Sequence, residues 1–276
     1  MDHMQRDLKK LVADGKHYEA QQMYHNASLR MVSHGRGVDA RCLLQEGVGS
    51  LLAADKVDMA AQLAKQYVAA CEGLVVEDAA YTGVCEDIEQ MCTDFPPGAE
   101  ETKVAVLKVA IKWASGLSSR GAPNLHLVAA RCYCALGEHA LAAAHYVRAE
   151  TPVEFARLLV DRWRAGAADE QDLFLCRAVL QYLALGNLGD AHAVVEAFSE
   201  QSEGESGGLK PTPLNNFVQL FLSALQRESY PLYAMLCDKY LPGEYPSVLS
   251  GLLKLNSTGV YLRFYHACTC VTNWSE

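Results

Sequence analysis

The stretch GKHYEAQQMYHNASLR, Gly15 to Arg30, decides the fold. Its apolar residues Ala20, Met23, Ala27 and Met31 fall at steps of three, four and four, the spacing that lines up one face of an α-helix. Glu19, Gln22, Asn26 and Arg30 keep the same steps and make a polar stripe. The pattern predicts a helix that buries one side and offers the other to a partner. Its opening, a glycine followed five residues later by an alanine, recurs in GRGVDA (35–40), GEHALA (137–142) and GNLGDA (186–191), with ADKVDMA (54–60) as a looser copy. Glycine suits the left-handed residue that ends one helix, and alanine permits close approach of the next. The early copies lie about 20 residues apart, so a helix pair takes about 40, as in tetratricopeptide and related solenoids.

Outward from that stretch the chain reads as helix after helix. A first helix is expected over 2–14, then 16–34, 37–53, 56–72 and 77–93. Phe95-Pro96-Pro97-Gly98 breaks the run, because proline lacks an amide donor and restricts the residue before it. The next helix, 100–116, carries Val104, Leu107, Ile111 and Ala114 on its apolar face, with Lys103, Lys108 and Lys112 as a solvated basic edge. Helices near 123–136 and 138–149 follow. Thr151-Pro152-Val153-Glu154 reads as a capping box with proline in the first turn. It opens helices at 152–165, 169–185 and 188–200. Ser199 to Lys210, SEQSEGESGGLK, is expected to be a surface loop. Thr212-Pro213 starts a helix to about 227, and Tyr230 to Tyr240 gives another. Beyond it, Ser247 to Lys254 is helical in pattern, and Val260 to Tyr265 is β-rich enough for a short hairpin or a helix break. The expected fold is all-α, a right-handed solenoid of stacked antiparallel helix pairs. Its two halves, 1–149 and 150–276, form one continuous superhelix.

Composition limits what such a fold does. Half of the 276 residues are hydrophobic, ample for a large core, and a net charge of -9 argues against a general nucleic-acid binder, which needs a basic surface. The first residues lack the order of a secretory signal, and no stretch offers the roughly 20 apolar residues of a bilayer span. A cytosolic protein that does not insert into membranes is expected. The ten cysteines are spread through apolar helices and read as reduced, mostly buried thiols. Cys132/Cys134 and Cys268/Cys270 sit two residues apart, on different sides of a helix, a poor geometry for one metal.

The signatures of zinc proteases, serine hydrolases, nucleotide hydrolases and dinucleotide enzymes are all absent. Asp169-Glu170-Gln171-Asp172 is the nearest approach to a magnesium-binding acidic motif. At a helix start those carboxylates cap free amides instead. The histidines are scattered. His17 and His25 are expected to face solvent, and His126 to make a structural hydrogen bond. No metal, cofactor or catalytic residue is expected.

Several segments in register resemble the Golgi-to-ER traffic protein four family, the α-solenoid scaffold of tail-anchored protein targeting. GKHYEAQQMY keeps Gly15, Tyr18, Glu19, Ala20, Met23 and Tyr24 of the family pattern, and Arg30 has a counterpart. Lys112-Trp113-Ala114-Ser115-Gly116 with Pro123, Leu125 and His126 continues it, as does FLCRAVLQYLALGN from Phe174 to Asn187. Pro213-Leu214-Asn215-Asn216-Phe217 and Leu236 to Pro242 extend the similarity to about 15–242. The resemblance implies a non-enzymatic scaffold. Its N-terminal helices receive an ArsA-like targeting ATPase through Tyr18, Glu19 and Arg30, with Gln22 one turn from Tyr18 in the same patch. Its C-terminal part holds a ubiquitin-like adaptor that recruits a client-bearing chaperone.

Two positions depart from the family pattern. Gln21 stands for its histidine and His25 for an arginine, changes expected to remove donors or fixed charge from the ATPase surface. Val260, Leu262 and Phe264 form an apolar strip that either grips the adaptor or closes the end of the solenoid. Two other readings stand beside the scaffold. One is a tetratricopeptide-type co-chaperone that clamps peptide tails, which requires a basic, asparagine-lined groove. The other is an all-α magnesium-dependent enzyme built on Asp169, Glu170 and Asp172, which requires a second acidic cluster.

Overall fold

A computed structural model describes residues 2–71, 78–118, 121–166, 171–206 and 211–240. Within them lie α1 (Asp2–Ala13), α2 (His17–Ser33), α3 (Gly37–Ala53), α4 (Val57–Ala70), α5 (Asp78–Asp94), α6 (Glu100–Ser115), α7 (Pro123–Ala135) and α8 (His139–Tyr146). They continue as α9 (Pro152–Ala165), α10 (Gln171–Ala184), α11 (Leu188–Ser206), α12 (Pro213–Gln226) and α13 (Tyr230–Tyr240). No strand occurs among the described residues. The chain divides into two compact units, one ending at Ala149 and the other beginning at Glu150. In each, a helix packs on its successor and on the next but one: α2 on α3 and α4, α4 on α6, α5 on α7; then α9 on α10 and α11, α10 on α12. That is the contact pattern of a helical solenoid. The proposed hairpin, Cys268, Cys270, Asp169 and Glu170 lie outside the described residues.

The glycine–alanine signal has a physical basis in every copy. Gly15, Gly35, Gly137 and Gly186 all have φ between 73° and 77°, and in the looser copy Asp55 takes the glycine's place at φ 59°. Each turn closes with the same two bonds, for example Gly15 N to the Val12 carbonyl and Lys16 N to the Leu11 carbonyl, 3.1 and 2.9 Å. These are the paired bonds of the Schellman motif, and they satisfy carbonyls the helix leaves open. Five residues after each turn residue stands an alanine of zero exposure: Ala20, Ala40, Ala60, Ala142 and Ala191. A methyl there lets the new helix lie tight on its neighbours. Gly47 of α3 carries the principle further: a Cβ at that position would stand 2.9 Å from Tyr24 Cδ1 of α2 and Leu63 Cδ1 of α4.

The second unit is packed with rings. Phe155 meets Tyr182 edge-on, Phe217 stacks on Phe221 at 5.3 Å, and Tyr233 and Tyr240 of α13 lean on that pair at 5.5 and 5.4 Å. Edge-on and offset rings suit the aromatic quadrupole.

Two local expectations are corrected. Thr151 precedes α9, but its side chain makes no cap and its hydroxyl is buried without a hydrogen-bond partner among the described residues. Thr212 does cap, accepting from Asn215 N at 3.2 Å. Helix α11 does not give way to a loop at Ser199 but continues to Ser206. Gln201 Nε2 donates to the Val153 carbonyl of α9, 3.1 Å, and Ser202 Oγ donates to the Ser199 carbonyl inside the helix. One tertiary bond and one bond inside the helix thus hold a segment whose composition reads as a linker.

Candidate functional site

Helix α2 carries three stripes. The first faces the core, with Ala20 and Tyr24 at zero exposure and Met31 nearly so. Tyr24 can lie flat there because Gly47 has no side chain. The second stripe, Gln21, His25 and Ser28, runs along the border with α4. Gln21 Nε2 donates to Gln62 Oε1, and Gln66 Nε2 donates to Ser28 Oγ at 3.0 Å and to the His25 carbonyl at 3.4 Å. Ser28 Oγ donates in turn to the His25 carbonyl. Gln21 and Ser28 are buried.

The third stripe lines a shallow groove of about 470 Å3 made by Met4, Tyr18, Glu19, Gln22, Met23, Asn26, Ala27 and Arg30. Met4 comes from α1, which Glu46 of α3 holds in place by accepting from Gln5 at 3.0 Å and pairing with Lys9 at 3.1 Å. All four residues expected to face an ATPase, Tyr18, Glu19, Gln22 and Arg30, therefore share one groove. Tyr18 is 65% exposed, an unusual position for an aromatic ring that has no core to fill. Glu19 pairs with Lys16 at 3.7 Å with both side chains more than half exposed, a contact of small energy in water. The Arg30 guanidinium meets no carboxylate among the described residues. The groove thus offers an exposed anion, a free cation and two amides, Gln22 and Asn26, around an apolar floor of Met4, Met23 and Ala27. It can dock another protein surface; it holds no nucleophile paired with a base.

The structure revises the residues flanking it. Met23 and Ala27, read as core, are half-buried in the groove, and the core positions go to Tyr24 and Met31. Gln21, read as a lost donor on the binding surface, is 5% exposed and belongs to the α4 border. His17 and His25 are half-buried rather than solvent-facing. Val260, Leu262 and Phe264 lie outside the described residues.

Elsewhere, chemistry is quiet. Asp172 accepts from Asn215 Nδ2 at 3.3 Å, tying α10 to α12. Among the described residues no three His, Cys, Asp or Glu side chains gather as a metal site. Cys71, Cys85, Cys92, Cys132 and Cys176 are buried free thiols, and burial pushes Cys92 and Cys176 up to about 12, so neither is a thiolate at neutral pH. No described helix is long and apolar enough to cross a membrane.

Sequence reasoning missed one pair. His126 of α7 and His145 of α8 face each other with their Nδ1 atoms 2.9 Å apart, and Tyr133 stacks on His145. One imidazole donates the single proton between them. Burial, then the neighbouring His145 and Arg148, holds His126 down to about 4, and burial with Arg148 and Lys108 lowers His145. His126 does make the structural hydrogen bond expected of it, though nothing in the sequence pointed to a second histidine 19 residues away.

A family model described as "Golgi to ER traffic protein 4" matches residues 16–250. The chain belongs to the Golgi to ER traffic protein 4 family. "Protein GET4" of Arabidopsis thaliana is 29% identical over 263 residues, covering 84% of this chain and 81% of the relative. The Golgi to ER traffic protein 4 homolog of Gallus gallus is 30% identical over 239 residues, covering 85% and 70%. A solved structure, "Crystal structure of C. therm. Get4", superposes with a TM-score of 0.80 at 24% identity over 94% of this chain and 89% of that one. At that identity the superposition speaks for the fold, an all-α solenoid of the Golgi to ER traffic protein 4 kind.

Proposed function

We propose that the chain is a non-enzymatic cytosolic scaffold. It bridges an ArsA-like targeting ATPase and a ubiquitin-like adaptor, and so promotes hand-over of tail-anchored membrane proteins for insertion into the endoplasmic reticulum. Family membership supports the broad role in traffic. The observation that carries the finer reading is the α2 groove, which gathers Tyr18, Glu19, Gln22 and Arg30 on one exposed strip. An exposed ring and an unpaired guanidinium in one groove have the make-up of an interface hot spot, where aromatic and arginine side chains dominate binding energy. Residues 1–149 then face the ATPase and residues 150–276 the adaptor, with Val260, Leu262 and Phe264 as the adaptor-gripping strip. Holding two partners on one body raises the local concentration of each for the other, which speeds transfer of a client without any covalent step.

Copurification with the ArsA-like ATPase and ubiquitin-like adaptor of the same organism tests this reading. Tyr18→Ala and Arg30→Glu are each expected to weaken ATPase binding at least roughly tenfold while adaptor binding persists. Removal of residues 243–276 is expected to do the reverse. Failure of the unaltered chain to bind either partner overturns the assignment.

A further inference from the structure

The groove on α2 is only as well defined as the rotation of α2 about its own axis. Apolar contacts on the core stripe hold the helix close to α3 but are non-directional. Hydrogen bonds are directional, and α2 makes two side-chain rungs to α4, Gln21 with Gln62 and Ser28 with Gln66. The rungs stand two turns apart on α2, at Gln21 and Ser28, and one turn apart on α4, at Gln62 and Gln66. Gln66 reaches both Ser28 Oγ and the His25 carbonyl, so it holds side chain and main chain of α2 together. Rotating α2 by a single residue, about 100°, would remove both rungs and carry Tyr18 and Arg30 off the groove.

We propose that Gln21, Gln62, Ser28 and Gln66 are positioning residues. Their bonds across the α2–α4 border set the rotation of α2 and thereby the presentation of Tyr18, Gln22 and Arg30 to the partner. The inference rests on the groove's being the ATPase-docking surface. None of the four except Gln21 and Ser28 is buried, and Gln62 is exposed, so altering Gln62 or Gln66 leaves the core untouched. Stability and positioning are thus separable in this seam. A buried amide that loses its partner has a cost, but here water can reach the border and supply a replacement.

The test compares the full chain with Gln62→Leu, Gln66→Leu, the double variant, and Gln62→Glu, which keeps an oxygen to accept from Gln21. Affinity and dissociation rate for the ArsA-like ATPase are measured at an ionic strength that screens surface charge, alongside melting temperature. The double Leu variant is expected to dissociate roughly five- to tenfold faster with its melting temperature held, while Gln62→Glu keeps the affinity of the unaltered chain. Equal affinity in all variants overturns the positioning role and leaves the docking surface standing. A loss of affinity in Gln62→Glu equal to that in Gln62→Leu also overturns it. Absence of binding by the unaltered chain overturns the docking surface, and the positioning role with it.

Discussion

The helices α2 to α4 and the helices α12 to α13 solve the same packing problem with opposite materials. The former close up on small residues: alanines of zero exposure, and a glycine that a tyrosine ring rests upon. The latter fill their interior with Phe217, Phe221, Tyr233 and Tyr240. Small residues bring backbones together and leave no slack, so that region is sensitive to added atoms. Rings occupy volume and depend on one another, so the other region is sensitive to lost atoms. The small-residue region also ties α2 to α4 with side-chain bonds, and it carries the groove.

Four experiments sharpen or break the contrast, the largest effect first. Phe217→Ala removes a fully buried ring that touches two others, and chemical denaturation is expected to register a loss of about 3–5 kcal/mol. A loss below that of an isolated methyl would show the ring cluster to be slack. The second experiment uses acid. His126 is held down to about 4 in the folded chain against about 6.5 unfolded, so the unfolded state takes the proton more readily. Its stabilising contribution is complete above the unfolded value and is lost as pH falls from there through about 4, a change of a few kcal/mol. His126→Gln should flatten that slope in calorimetry. The second unit, whose one described histidine is His192, has no such pair to lose.

Gly47→Ala comes third. The helix gains roughly 1 kcal/mol of propensity, but a methyl at 2.9 Å from a fully buried tyrosine ring forces movement, and the net loss is expected at about 1–2 kcal/mol. The fourth and smallest set contrasts two buried tyrosines. Tyr67 donates to Asp87 at 2.6 Å, whereas the Tyr182 hydroxyl has no hydrogen-bond partner among the described residues. Tyr67→Phe should lower stability by about 1 kcal/mol, and Tyr182→Phe should leave it unchanged or raise it by less. A Tyr182→Phe variant as damaged as Tyr67→Phe would mean that the aromatic region also relies on directed bonds.

What the sequence allowed to be read follows from range. The turns were legible because a positive-φ residue and a buried alanine lie five residues apart in every copy. The turn between α12 and α13 was missed as a member of that set. It closes with the same pair of bonds but has Glu228, at φ 51°, where the pattern expects glycine. The polar groove residues Glu19, Gln22, Asn26 and Arg30 were legible because one helix supplies them at helical spacing, whereas Met23 and Ala27 read as core. The burial of Gln21 and Ser28 was not, since their partners stand 41 and 38 residues away and polarity alone places such residues outside. The His126–His145 bond and the extension of α11 to Ser206 share that cause: each depends on a contact that only packing creates.

The joint between helices also governs where this chain can change length. Its bonds are all local, so it tolerates helices of different extent, and α3 with 17 residues and α4 with 14 already differ by nearly one turn. An insertion of three or four residues within a helix would return the following alanine to the inner side. One or two would swing it outward and put a charged neighbour in its place. The architecture therefore admits growth in whole turns, and a natural or engineered relative of altered length should show its gaps in multiples of that period.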